Sequence, residues 1–537
     1  MKPRSEQSTS LWLATQSLPA ISTLHHDLQA DVCVVGAGMA GLSTAYMLAK
    51  EGKKVAVLES RSLAAGQSQR TSAHLTNAHD NYYHEVEKIH GVDGIRIAAE
   101  SHTAAIDRIE EIVQTEGIEC DFIRLPGYLF CAPEQKVEIL ERELAAVNRA
   151  GVQGVELIGR APLVSFDTGA CLKYPRQAQF HPLKYLEHLS RAIRSHGGEI
   201  YGDTAVKTVT GGETVTVETI NGRTVRAKAV VVATNSPIND QFAIHTKQAP
   251  YLTYVIAAPV ASQSITRALY WDTLEAYHYV RLQPVGEHQD QLIIGGEDHK
   301  AGQVTDQTER HARLEQWARH RFPMMGPVQY RWSGMVMETT DGGAFIGKNP
   351  GDQDNVYIVT GDSGMGMTHG TIAGMLLADL IMGRDNPWAK FYDPSRKPVS
   401  GMAGRNFLSE NFNVGKEYVQ DWLSGGDDPE VDKLAVDEGT VVRRGLSKVA
   451  VYRDGLGHVH ECSAVCPHLG CIVHWNRFEK VWDCPCHGSR FDARGEVVNG
   501  PAISPLSQIA SPKFAASSTA LPSGIAEMRA NGSRDAR

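Results

Sequence analysis

The chain has 537 residues, room for about three to five domains at ~100–200 residues each. Hydrophobic residues make up 42% and charged residues 21%, the composition of a globular protein rather than a disordered one. With 53 Lys and Arg against 62 Asp and Glu the formal charge is −9, and no basic stripe stands out, so nucleic acid is not expected as a partner: phosphate binding needs clustered cations.

No apolar run approaches the ~20 residues that span a bilayer, so no membrane span is expected. The first twenty residues lack a continuous apolar region and a small-residue cleavage site, which predicts no signal peptide and a cytoplasmic location. Residues 1–28 read as an irregular lead-in. From Asp31, DVCVVGAG reads as a buried strand entering a glycine turn, GLSTAYMLAKEG as a helix and KVAVLES as a second strand, a βαβ unit. Gly36, Gly38 and Gly41 give G-x-G-x-x-G at the turn. The first glycine permits the sharp bend, the second lets backbone approach a pyrophosphate, and the third lets helix and strand pack closely. The helix N-terminus then offers N–H groups to phosphate. Glu59, 18 residues beyond Gly41, ends the second strand, where an acid binds a ribose 2′-hydroxyl and disfavours a 2′-phosphate. A glycine turn alone would be weak, but strand, helix, second strand and acid all agree on a dinucleotide.

Residues 97–117 and 134–150 carry helical periodicity. AVKTVTGGETVTVETING (205–222) alternates and ends in the Asn221–Gly222 hairpin signal. AKAVVVATN (227–235) reads as a buried strand returning to the first sheet, and the aromatic and β-branched stretch 249–297 as a second sheet. VYIVTGDSGMGMTHGTIAGMLLADLIMG, from 356 to 383, is again strand, glycine turn and helix. The predicted fold is an α/β Rossmann-type domain assembled from pieces at about 29–95, 150–240 and 336–385. An antiparallel β-rich substrate domain is inserted at about 241–335, and an all-β module follows at 433–512. Residues 386–432, with the helix-like FLSENFNVGKEYVQDWL, read as a connector, and 513–537 as a disordered tail.

The segments SLAAGQSQRTSAHLT (62–76) and GDSGMGMTHGT (361–371) add to the βαβ unit, VVVATN and RWSGMVMETTDGGAFIG. Together, across 29–385, the chain resembles the D-amino-acid oxidase-like flavoproteins. That resemblance implies FAD, with the adenosine end at Gly36, Gly38, Met39, Ala40, Gly41 and Glu59, and Val206 in the same cofactor site. It places the flavin end near Arg70, Thr71, Gly364, Met365, Gly366, Met367 and Thr368. Gln69 or Arg70 stands where some members carry a covalently bound His, so FAD is expected to be non-covalent, and His74 is expected to pack rather than to anchor it. The implied chemistry is oxidation of a C–N bond in a small amine or amino acid, the flavin supplying the reactivity. Candidate pocket residues are Tyr251, Tyr254, Tyr277, His278, Tyr279, Arg281 and Arg331, with Tyr277, Tyr279, Arg281 and Arg331 as the catalytic candidates. Alternation in YHYVR puts Tyr277, Tyr279 and Arg281 on one face and His278 on the other. Such a stripe suits a sheet core as well as a pocket, and Arg281 suits a substrate carboxylate or a surface ion pair.

Five of the nine cysteines, Cys462, Cys466, Cys471, Cys484 and Cys486, fall within 25 residues. Cys466 and His468, then Cys484 and His487, give C-x-H-x15-C-x2-H, the two-thiolate, two-imidazole set that a Rieske [2Fe–2S] centre needs. A zinc site from the same four residues is the alternative, disfavoured because paired zinc ligands usually have at least two residues between them. HECSAVCPHLGC, CPCHGSRFD and the later Asn499-Gly500-Pro501-Ala502 resemble the Rieske domain throughout 433–512. By that resemblance Cys466 and Cys484 hold one iron and His468 and His487 the other. Cys471 and Cys486 match the disulfide pair of respiratory-type members, and Gly500–Pro501 the loop covering the cluster. Ser489 matches a donor to a bridging sulfide, while Phe491 stands where high-potential members carry a Tyr. Cys462 lies outside the pattern and reads as a buried apolar residue.

The order flavoprotein then Rieske module resembles a bacterial family of Rieske-containing FAD oxidoreductases. It implies a dehydrogenase that relays electrons through the cluster to an external acceptor. The alternative is an electron-transfer component feeding a separate oxygenase. That would need an NAD(P)H site, yet one clear dinucleotide fingerprint is present, and FAD takes it.

Overall fold

The computed structural model describes residues 8–131, 136–239, 244–303, 307–351, 354–397, 422, 431 and 433–509. The expected disordered tail and nearly all of the helix-like connector segment lie outside these residues.

Six short strands form the nucleotide-binding sheet, in the order Phe345–Lys348, Val356–Thr360, Ala229–Val232, Val32–Val35, Val55–Leu58, Glu199–Tyr201. All neighbours are parallel except the Phe345–Lys348 edge. The central strands VCVV, VAVL and AVVV are buried at every position, as parallel strands covered on both faces must be. Helix Met39–Lys50 follows the first glycine turn and helix Gly366–Ile381 the last. The two helices lie against each other because Gly374 has no side chain: a Cβ there would sit 2.8 Å from the Ser43 backbone. Asn221–Gly222 does turn a hairpin, between strands Val215–Thr219 and Thr224–Ala227 of a small four-stranded sheet.

A nine-stranded sheet stands beside this domain. Its main path runs Tyr330–Thr339, Gln248–Ala261, Gln289–Lys300, His278–Pro284, Leu269–Asp272, Ile123–Phe130, Cys171–Gln179, His74–Leu75. It is antiparallel but for the pair Leu269–Asp272 and Ile123–Phe130. It therefore extends beyond the expected insertion at 241–335. The strand Cys171–Gln179, assigned from sequence to a nucleotide-binding piece, belongs here, because strand alternation does not say which partner a strand will find. The lead-in is also ordered where described. Ser10 caps helix Leu11–Thr15, and fully buried Trp12 donates to the Thr71 carbonyl at 2.6 Å.

The C-terminal module has a three-stranded sheet (Glu438–Arg444, Ser447–Arg453, Val459–Ser463) and a four-stranded one (His474–Asn476, Val481–Asp483, Arg490–Asp492, Val497–Asn499). It is docked on the large sheet through a buried ion pair. Arg70 Nη1 donates to Glu479 Oε1 at 2.8 Å, and Ser8 and Ser333 donate to the same oxygen at 2.7 and 2.5 Å.

Candidate active site and cluster centre

A cavity of about 1260 Å³ lies between the nucleotide-binding sheet, the large sheet and the C-terminal module. It exceeds the ~300–1,000 Å³ of a drug-sized pocket, as a site for a dinucleotide and a substrate should. Gly36, Gly38, Met39, Ala40, Glu59, Arg70, Thr71, Val206 and the run Gly364 to Thr368 all line it. Gly41 does not. A Cβ at Gly41 would lie 1.9 Å from the Gly36 carbonyl oxygen, which is the close-packing role of the third glycine. Gly36 adopts φ +106°, and a Cβ there would meet the Ala233 carbonyl at 2.5 Å, whereas above Gly38 the nearest atom is Ser68 Oγ at 3.1 Å. The cradle is thus open at the position where a pyrophosphate approaches. Glu59 is held at the wall, its Oε2 accepting from Ala37 N–H (2.9 Å) and its Oε1 from Arg61 N–H (3.1 Å). The residues present fit FAD.

At the flavin end the structure redirects one assignment. Arg70 lines the cavity, but its Nη1 is committed to Glu479 and to the Ser333 carbonyl (2.7 Å), so the guanidinium joins the two halves of the chain. Gln69 is buried with its amide on the Ala65 carbonyl. His74 packs edge-on to Tyr279, and burial pushes its pKa down to about 3.

The substrate candidates divide. Tyr251, Tyr277 and Tyr279 face the cavity. Tyr277 donates to Asp80 Oδ2 at 3.0 Å, and the Tyr279 hydroxyl pairs with Thr253 Oγ1 at 2.9 Å. Tyr254 and His278 lie on the opposite face, the former against His299 and His311 and the latter stacked on Trp317. Arg281 is neither a substrate clamp nor a surface ion pair. It is fully buried off the cavity, with Nη1 donating to the carbonyls of Ser72, Ala73 and Phe180 and with Trp12 beneath it. Arg331 also lies off the cavity, paired with Glu315 at 2.7 Å. Alternation predicted the face of Arg281 but not its depth in the sheet.

Sequence reading missed the acids. Asp80, Asp298, Glu338 and Asp362 line the cavity as separate segments converging. Burial raises all four, Asp80 and Asp362 to about 6 and Asp298 to about 7; Glu338 goes to about 8 because the other three carboxyls add like charge. The wall's arginines are Arg61 and Arg70, and it has no lysine among the described residues. The signal was in the letters, at Asp80 and at Asp362 within GDSGMG, but no local spacing joins them. Buried His102 and His369 also went unread. They lie 4.6 Å apart by ring centroid, with His102 Nδ1 on Thr368 Oγ1 and His369 Nδ1 on the Asp362 carbonyl.

In the module, two turns of the same geometry carry the clustered cysteines. Cys466 N–H donates to the Cys471 carbonyl and Cys484 N–H to the Ser489 carbonyl, both at 2.8 Å. The Cys466 and Cys484 thiols share a hydrogen bond, and each sulfur faces two backbone N–H groups of its own turn, at His468 and Leu469 and at Cys486 and His487. The shared contact pulls the two thiols apart in acidity: with the His468 and Leu469 N–H groups and the Ser489 hydroxyl it outweighs burial and brings Cys466 down to about 7, while it pushes the Cys484 thiol well above its ordinary value. The His468 and His487 rings meet at 5.1 Å and 89°. Cys471 and Cys486 form a disulfide joining the two turns, so their sulfurs, although near Cys484, are not free for metal. Two thiols in N–H nests beside two imidazoles fit a [2Fe–2S] cluster. Ser489, Phe491 and Cys462 are all buried, and Phe491 and Cys462 share one apolar cluster with the turn cysteines. Asn499, Gly500 and Ala502 of the third loop reach the cavity wall.

Comparison with known proteins agrees with this division. Residues 31–380 match the FAD dependent oxidoreductase family and residues 427–511 the Rieske [2Fe-2S] domain. A Bacillus subtilis protein named as a Rieske 2Fe-2S iron-sulfur protein, YhfW, is 31% identical over 506 residues, covering 94% of this chain and 98% of its own. The gamma-glutamylputrescine oxidoreductase of Escherichia coli is 29% identical over 430 residues, 77% of this chain and 97% of its own. The glycine oxidase of Geobacillus kaustophilus shares the fold at TM-score 0.57 and 18% identity, over 69% of this chain and 99% of that one. No helix among the described residues is long and apolar enough to cross a membrane. The chain belongs to the FAD dependent oxidoreductase family and carries, at its C-terminal end, a Rieske [2Fe–2S] domain.

Proposed function

We propose that the protein is an amine dehydrogenase that oxidises the C–H bond beside a substrate nitrogen and passes the electrons through its Rieske cluster to an external acceptor. One observation carries this reading: the same cavity is walled by the dinucleotide cradle, by Tyr251, Tyr277 and Tyr279, and by the third loop of the cluster module. When bound, FAD supplies the hydride acceptor and the cluster a one-electron carrier. Gly36 to Ala40 and Glu59 hold the dinucleotide without a covalent bond. Cys466 and Cys484 hold one iron and His468 and His487 the other. Tyr277 and Asp80 orient the substrate nitrogen, and the surrounding carboxyls select a cationic amine over an amino acid, whose carboxylate would meet like charge.

Anaerobic titration of the holoprotein tests this. Amines should bleach the flavin and then produce the reduced-cluster EPR signal, and acid should release intact FAD. Bleaching by NADH with no response to an amine and amino-acid panel would favour the oxygenase-feeding alternative instead.

A further inference from the structure

His245 comes from the flavoprotein part of the chain, in the short turn His245–Lys247 that leads into strand Gln248–Ala261. Its side chain is 2% exposed. The ring centroid lies 4.8 Å from that of His468 at 74° and 5.2 Å from that of His487 at 56°. Three imidazoles therefore meet at the interface, two from the cluster turns and one from outside the module.

The backbones beside them are equally close. A Cβ on Gly488, next to His487, would lie 2.9 Å from Met335 Sδ and 3.0 Å from Pro250 Cβ, and one on Gly302 would lie 3.0 Å from Pro485, between the two turn cysteines. Glycine on each side of the interface lets the cluster turns seat directly on the large sheet. On the inner side, Gln248 Oε1, three residues after His245, accepts from Thr360 Oγ1 at 3.0 Å. Thr360 ends the strand before the late glycine turn that lines the flavin end of the cavity. The turn His245–Lys247 and the first residue of the strand it leads into thus touch the cluster histidines and the flavin end respectively.

We propose that His245 is the positioning residue for electron entry into the cluster. Its ring seats His468 and His487 against the flavoprotein half, so the electron arrives at the histidine-bound iron. This rests on the relay proposed above. In the step one electron leaves the reduced flavin and one is gained by the oxidised cluster, and no bond to His245 forms or breaks.

The test uses full-length holoprotein, with EDTA and light reducing the flavin anaerobically and the cluster followed by EPR. In the wild type the cluster signal should follow flavin bleaching. His245→Ala should bleach normally yet develop the cluster signal about tenfold more slowly, equivalent to about 1.4 kcal/mol on the barrier. Its dithionite-reduced EPR line shape should also shift as the two rings lose their packing partner. His245→Phe, which keeps a ring, should restore the rate. Where truncation costs the fold, His245→Leu should show the same slowing. Wild-type rate and line shape in the Ala or Leu variant would overturn the proposal. A wild-type flavin that bleaches without any cluster signal would instead remove the relay itself, and this inference with it.

Discussion

The Glu479 carboxylate has four donors on one oxygen, from Arg70, Ser8 and Ser333, the last through both side chain and backbone. Burial alone would raise its pKa, but the Arg70 and Arg490 charges and the two hydroxyls bring it down to about 2. A depressed folded-state pKa stabilises the protein above the ordinary glutamate range, and this contribution fades as pH falls from about 4.5 towards 2. Glu479→Gln should therefore cost about 3–5 kcal/mol, the usual penalty for leaving a buried partner charge alone, and should flatten that acid limb in thermal unfolding of the full chain. Ser489 invites a second test. Its Oγ accepts from Ala502 N–H at 3.0 Å, which leaves its own proton for the Cys466 sulfur. Such a bond favours the more negative, reduced cluster. Ser489→Ala should then lower the potential by about 40 mV, since about 1 kcal/mol is a little under the 59 mV that marks a factor of ten for one electron. Voltammetry of the holoprotein reads it directly.

At the scale of elements, the first glycine turn separates fold from binding. Gly38→Ala keeps an allowed backbone (φ −89°) and meets only Ser68 Oγ, so the protein should fold while FAD affinity drops. Gly41→Ala drives a methyl into the Gly36 carbonyl and should destabilise apoprotein and holoprotein alike by about 1–3 kcal/mol or more, read as a lower melting temperature in both. Flavin fluorescence on filtration, set beside calorimetry, distinguishes the two. The βαβ unit was legible because its signals are local: an apolar run, three glycines and an acid within thirty residues. The cluster turns were legible for the same reason. Full membership of the large sheet was not, since Ile123–Phe130 and Cys171–Gln179 reach it through pairings far apart in sequence. Arg281 and Arg331 were misread because a charged residue on a strand looks alike whether it ends at a ligand, at backbone carbonyls or at a helix glutamate.

Across the whole molecule, charge is unevenly placed: a mildly acidic chain sets four half-buried carboxyls around one cavity. As pH rises from 6 to 8, Asp80, Asp362, Asp298 and Glu338 ionise in turn, so affinity for a cationic amine should increase through that window. Glu338→Gln should remove the upper part of the rise, up to about tenfold for each pKa unit of coupling. Inhibition or binding measured against pH decides it, and an affinity that falls over the same interval would refute the acidic selection. The third loop of the cluster module has a further consequence, because Asn499 to Pro505 complete the wall around the flavin cavity. That loop also holds Ser489 through the Ala502 amide, so its shape depends on the cluster turns. Maturation of the two prosthetic groups should thereby be linked, iron binding at the cluster turns steadying the loop that walls the flavin compartment. Protein made under iron starvation should lose FAD on dialysis faster than iron-replete protein, so that flavin retention reports whether iron–sulfur assembly is complete.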